Sequence, residues 1–168
     1  MGFDVYGMNP KINKEQEKYS VYNKYKDMDF KQKWEELDAD EELRNQYWKE
    51  HEDYEENNPG IYFRNNVWWW RPLWAYVCDE FPDILGERDA EGGMHNGGHA
   101  ISETKAMKIG IGLTAMIEDG RTQAYADSYN EYIEQLDEDD FNSHYPFNVE
   151  NVKQFAKFCL ESGGFEIC

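Results

Sequence analysis

Along most of this chain the apolar residues recur at the three-to-four spacing of helices, and only near its two ends at the alternating spacing of strands. The clearest stripe is Val149, Val152, Phe155, Ala156, Cys159 and Leu160. That spacing puts one apolar face against a core. Asn148 stands where an N-cap is needed, and Gly163-Gly164 stops the run. A second stripe, Ala106, Ile109, Leu113, Met116 and Ile117, follows Ser102, a good capping residue, and ends at Gly120. Gly110 and Gly112 weaken it, which close packing against another element would explain. Tyr125, Tyr129, Tyr132, Ile133 and Leu136 form a third helix that Thr122 can cap and Asp137–Asp140 closes. Residues 30–57 carry Phe30, Trp34, Leu37, Leu43, Tyr47, Trp48 and Tyr54 at helical spacing, with Asp38–Asp40 able to divide the run. A further helix starts at Pro72, a residue suited to a first turn, and stops before Pro82.

Strands are expected at Phe3–Tyr6 and Phe165–Ile167, and these two can pair. Ile61–Phe63 reads as a short extended piece. Residues 11–28 are polar and Tyr-rich with weak periodicity, which predicts a linker. Residues 86–98, rich in Gly, predict a loop. The expected fold is mainly α with a small β element, a single-domain bundle of about five helices over residues 1–168. An acidic, mostly helical insertion occupies residues 11–58. The core should draw on residues 68–74, 109–117 and 152–160.

Composition narrows the partners. At 168 residues and 16% aromatic, the chain has ample area to bury in one domain. Its net charge of −18 repels duplex DNA and anionic membranes, so neither is expected as a direct partner. A basic protein fits that charge. Cys78, Cys159 and Cys168 form no C-x-x-C pair, which fits a reducing compartment. Met1-Gly2-Phe3-Asp4 lacks the basic-then-apolar pattern of a signal peptide, and no apolar run approaches membrane-spanning length.

Three features could carry chemistry. Gly93 and Gly98 have the G-x-x-x-x-G spacing of a phosphate loop, but His99-Ala100 stands where Lys-Ser/Thr is required, so nucleotide hydrolysis of that type is excluded. The glycine-rich backbone could still hold an anion. His95 and His99, four apart, are candidate ligands for zinc or another divalent metal, with Asp89, Glu91 or His144 to complete the set. Such a site would make the chain a metal-dependent hydrolase. The third feature is Trp68-Trp69-Trp70, flanked by Arg64, Asn65, Asn66 and Arg71. Adjacent tryptophans cannot all point one way, so both a central packing cluster and a contact surface fit them. Separately, eleven acidic residues lie between Glu35 and Glu56, against Arg44 and Lys49. Such a helix face could imitate the charge spacing of a nucleic-acid backbone.

Several longer motifs occur together: Met-Gly-Phe-Asp-Val-Tyr-Gly at the start, Tyr62-Phe63-Arg64-Asn65-Asn66-Val67-Trp68-Trp69-Trp70-Arg71-Pro72-Leu73, Gly120-Arg121-Thr122-Gln123-Ala124-Tyr125, Tyr145-Pro146-Phe147-Asn148-Val149-Glu150-Asn151-Val152, and Ser162-Gly163-Gly164-Phe165. In these the chain resembles a family of small uncharacterised proteins of bacteriophages, marine ones among them, and of some bacteria. The resemblance supplies no activity. It implies a phage-type accessory protein acting in the cytoplasm of an infected bacterial host. Some members of that family carry a C-x-x-C insertion suggestive of zinc; this chain lacks it, so that role does not carry over. The acidic segment stands between two family motifs as an addition. The leading expectation is therefore a non-enzymatic accessory protein that binds a small anionic molecule or a host protein through Arg64, Asn65, Asn66, Trp68, Trp69, Trp70 and Arg71. The alternatives are an acidic nucleic-acid mimic that blocks a host protein, and the metal-dependent hydrolase.

Overall fold

The computed structural model describes residues 2–12 and 18–168. They form eight helices and one four-stranded antiparallel sheet, so the expectation of about five helices was an undercount. Two helices lie where a linker and a loop were expected, and residues 30–57 divide into two. The chain separates into two compact units, Met1–Lys11 with Pro59–Cys168, and Ile12–Asn58.

The smaller unit is built from α1 (Ser20–Tyr25), α2 (Phe30–Asp38) and α3 (Glu41–Asn57). Asp29 caps α2 by accepting from the Lys31 and Gln32 N–H groups. Asp40 caps α3 by accepting from the Leu43 N–H at 3.0 Å, which divides the two helices. Helix α1 falls in the stretch that predicts a linker, of which residues 13–17 lie outside the described residues. Its exposed N–H groups are satisfied from far along the chain: Glu50 accepts from the Val21 and Tyr22 N–H groups, both at 2.8 Å. Tyr25, Leu37 and Tyr47 form the buried centre, with Tyr22 and Trp34 packed on it. Tyrosine suits so small a core, because its ring buries area while its hydroxyl reaches a polar group at the rim. The Tyr25 hydroxyl donates to Glu36, and Tyr47 accepts from Lys33.

The larger unit holds the sheet, β1 (Gly2–Gly7), β2 (Tyr62–Asn66), β3 (His99–Ile101) and β4 (Phe165–Ile167), in the order β2-β1-β4-β3. The first and last strands pair, with Val5 opposite Ile167. Side chains alternate across the sheet as a strand requires. Phe3, Val5, Phe63, Ile101, Phe165 and Ile167 turn inward and are buried. The unit's helices are α4 (Val67–Glu80), α5 (Glu87–Gly93), α6 (Glu103–Glu118), α7 (Arg121–Glu134) and α8 (Val149–Glu161), with a 3₁₀ turn at Phe141–His144. The inner sheet face and the stripes of α4, α6 and α8 share one core.

The structure departs from three local expectations. Helix α4 begins at Val67 rather than Pro72, because Asn66 caps it; Pro72 then sits in the second turn and costs the helix one backbone hydrogen bond. Residues 86–98 contain α5 instead of being loop throughout. Its glycines are there for contact: a Cβ at Gly93 would lie 2.1 Å from the Trp74 ring, and one at Gly92 would lie 2.4 Å from the His99 ring. Thr122 caps nothing; it is buried, and its hydroxyl shares a 3.0 Å hydrogen bond with Tyr76. The two glycines of α6 are explained as close packing. A Cβ at Gly110 would strike Leu160 of α8, and one at Gly112 would strike Phe81.

Candidate functional site

Strand β2 leads directly into α4, and this junction sets the site. Alternation along β2 turns Arg64 outward and Asn65 inward, opposite Phe3. An amide on a core-facing position must be hydrogen-bonded. The Asn65 side chain, only 7% exposed, donates to Asn151 Oδ1 at 3.0 Å. Asn151 lies in the first turn of α8 and donates in turn to the Trp69 carbonyl at 3.4 Å. Asn148 caps α8 by accepting from the Glu150 and Asn151 N–H groups. Asn66 caps α4 by accepting from the Trp69 N–H at 3.1 Å. Two helix N-termini are thus tied side by side through amides, with Trp69 and Arg64 beside them.

Helical geometry sorts the three tryptophans. Trp70 shares a face with Leu73, Trp74 and Val77, all buried. Its ring stacks on Trp74 at 5.5 Å and on Phe3 at 5.3 Å, and its N–H donates to the Gly93 carbonyl at 2.7 Å. Trp70 is therefore core and cannot be a surface contact, which corrects its place among the expected binding residues. Trp68 and Trp69 are half-buried. Arg71 is exposed and turns to Tyr145: it donates to the hydroxyl at 2.8 Å and lies 5.8 Å from the ring centroid.

Three concavities meet at Trp69. One, of about 580 Å³, is lined by Asn66, Trp68, Trp69, Phe141, His144 and Pro146. Another, of about 530 Å³, lies among Gly2, Arg64, Asn65, Asn66 and Trp69. A third, of about 260 Å³, runs from Arg64 and Trp69 to Asn148, Glu150, Asn151 and Gln154 at the start of α8. Arg64 is mostly exposed, and its Nε faces Asp4 at 3.5 Å. Asp4 also accepts from the Tyr62 hydroxyl, and burial together with that bond raises the Tyr62 pKa. Sequence reasoning singled out the β2–α4 half of this face but missed Phe141 and Pro146. The run Phe141, His144, Tyr145, Pro146 was the available signal.

The expected metal ligands are not gathered as a set, although two of them, His99 and Asp89, meet. His95 is exposed. His99 Nε2 lies 3.0 Å from Asp89, whose other oxygen accepts from Lys105. The cation beside Asp89 is thus an ammonium group. Among the described residues no three His, Cys, Asp or Glu side chains gather as a metal-binding group. Burial alone would raise the Asp89 pKa, but the hydrogen bonds from Lys105 and His99 outweigh it and hold the carboxyl below its ordinary value.

The glycine-rich stretch is also committed internally. The Gly98 N–H donates to the Ile167 carbonyl, Met94 to Glu91, and His95 to Gly92. Burial pushes the Cys78 thiol up to about 11 and Cys159 well above its usual range, so neither is a ready nucleophile. In the acidic segment, Asp29, Asp40 and Glu50 serve helix ends, and Asp38 pairs with Arg44 at 3.2 Å. Among the described residues no helix is long and apolar enough to cross a membrane. No protein-family model matches the chain, and neither does any curated protein or solved structure.

Proposed function

We propose that this chain is a non-enzymatic binding protein, of the phage-accessory kind its motifs resemble, and that it holds a small anionic ligand on the face around Trp69. The observation that carries this is the convergence of Arg64, the capped N-termini of α4 and α8, and a half-buried tryptophan on adjoining grooves. A guanidinium and two helix N-termini favour negative charge. A tryptophan beside them offers a flat apolar wall for the rest of the ligand. The amide chain Asn65–Asn151–Trp69 fixes that wall before anything binds, which lowers the ordering cost of association.

Arg64 anchors the anionic group, Asn66 and Asn148 hold the helix ends in place, and Trp69 covers the ligand body. The test is native mass spectrometry of the purified protein after exposure to a small-molecule extract of bacterial cytoplasm. Wild type is expected to retain a species below about a kilodalton, and Arg64→Ala is expected to release it. A bare mass for wild type, or equal retention by Arg64→Ala, contradicts the assignment.

A further inference from the structure

We propose that the aromatic cleft on the other side of Trp69, between the first turn of α4 and the 3₁₀ turn, is a docking site for an arginine side chain of a basic polypeptide. It adjoins the Arg64 grooves but takes the opposite charge, and it does not depend on the anion site.

Trp68, Trp69, Phe141 and His144 line an open concavity of about 580 Å³, flanked by Pro146 and Asn66. The rings meet at angles: Trp68 lies 5.5 Å from Phe141 at 56° and 5.9 Å from His144 at 72°. Rings set at such angles form a corner, and Trp68 and Trp69 are only half-buried in it. Phe141 is 60% exposed, so it contributes little to the core. An aromatic corner left open to solvent is what a contact surface needs.

Charge selects the occupant. Asp137, Glu138, Asp139 and Asp140 immediately precede Phe141, with no basic residue among them. Asp140 is used locally, accepting from the Asn142 N–H and side chain. Asp137, Glu138 and Asp139 are exposed, and none of the three takes part in the ion pairs found among the described residues. Aromatic faces attract cations through their quadrupoles, and the carboxylates that lead into Phe141 along the chain add to that attraction. A chain of net charge −18 draws basic polypeptides from a distance.

The same ring cluster already accepts a guanidinium. Arg71 lies over Tyr145, and the Tyr145 ring packs on Trp68 at 4.9 Å and on Phe141 at 5.5 Å. A guanidinium is planar and weakly hydrated and stacks on rings, whereas an ammonium is a strongly hydrated point charge. Arginine is therefore the occupant of choice over lysine.

The test uses the full chain and a short arginine-rich peptide, with two controls: the same peptide carrying citrulline, and the same peptide carrying lysine. Calorimetry gives affinity, and the indole N–H resonances locate the contact. The arginine peptide is expected to bind and to shift the Trp68 resonance. The citrulline peptide should fail, and the lysine peptide should bind more weakly. Phe141→Ala should weaken binding about tenfold while unfolding at the wild-type temperature. The Glu138→Gln, Asp139→Asn double variant should weaken binding and flatten its salt dependence. No binding by wild type overturns the proposal, as does equal binding of the citrulline or lysine peptide. Phe141→Ala binding as well as wild type while the charge variant fails also overturns it, because that means adhesion to the acidic run without the cleft.

Discussion

Helix α4 carries adjacent tryptophans with opposite fates. Trp70 is fully buried, stacked between Phe3 and Trp74, with its N–H on the Gly93 carbonyl. Trp69 stands one residue earlier, half-buried, at the meeting point of three concavities. The residue type is the same and the backbone is continuous. The difference is about 100° of helical rotation, fixed by where Asn66 starts the helix. A shift of one residue at that cap would exchange core and surface. One side of α4 thus holds the fold together, while the other is free to contact something else.

The largest effect is expected where the buried ring is removed. Trp70→Ala should cost about 3–5 kcal/mol, measured by urea unfolding. A loss below about 1 kcal/mol would mean the ring is not the packing centre described. Gly93→Ala tests the same side from the opposite surface. Its new methyl would meet the Trp74 ring, and the expected loss is about 1–3 kcal/mol. A neutral result would show that α5 can move away without penalty.

A third variant addresses the ion cluster between α5, β3 and α6. The folded-state pKa of Asp89 lies below its unfolded value, so its stabilisation is present above the unfolded value of about 4. It is lost as pH falls through the lower folded value. Asp89→Asn should cost about 1–2 kcal/mol near neutrality, with the gap from wild type closing on acidification. A gap that widens as pH falls contradicts the assignment. A smaller effect is expected at Tyr76→Phe, which removes the hydrogen bond to Thr122 for about 1 kcal/mol. Chemical denaturation of the paired Tyr76→Phe, Thr122→Val variant should show less than the sum of the single losses.

Where structure follows from local chemistry, it was legible. The stripe of α8 between Asn148 and Gly163-Gly164, the break at Asp38–Asp40 and the existence of the two terminal strands all rest on short-range signals. Helix α1 was not legible, because its N-terminus is satisfied by Glu50, 29 residues from Val21. Helix α5 was hidden because Gly92 and Gly93 read as loop residues, whereas they are small to admit the His99 and Trp74 rings. At the site, Arg64, Asn65, Asn66, Trp68 and Trp69 could be named from their type and spacing. The sorting of Trp70 could not, because placing the helix start at Pro72 left the tryptophans outside the helix. Phe141 reaches the site only through tertiary folding of the segment after α7.

The proposed division of labour gives Trp69 to contact and Trp70 to the fold. Its most direct test is Trp69→Ala, followed by urea unfolding and by native mass spectrometry after exposure to the bacterial extract. The expected result is a loss of stability of no more than about 1 kcal/mol together with loss of the bound species. A destabilisation as large as that of Trp70→Ala, with the bound species retained, would contradict it.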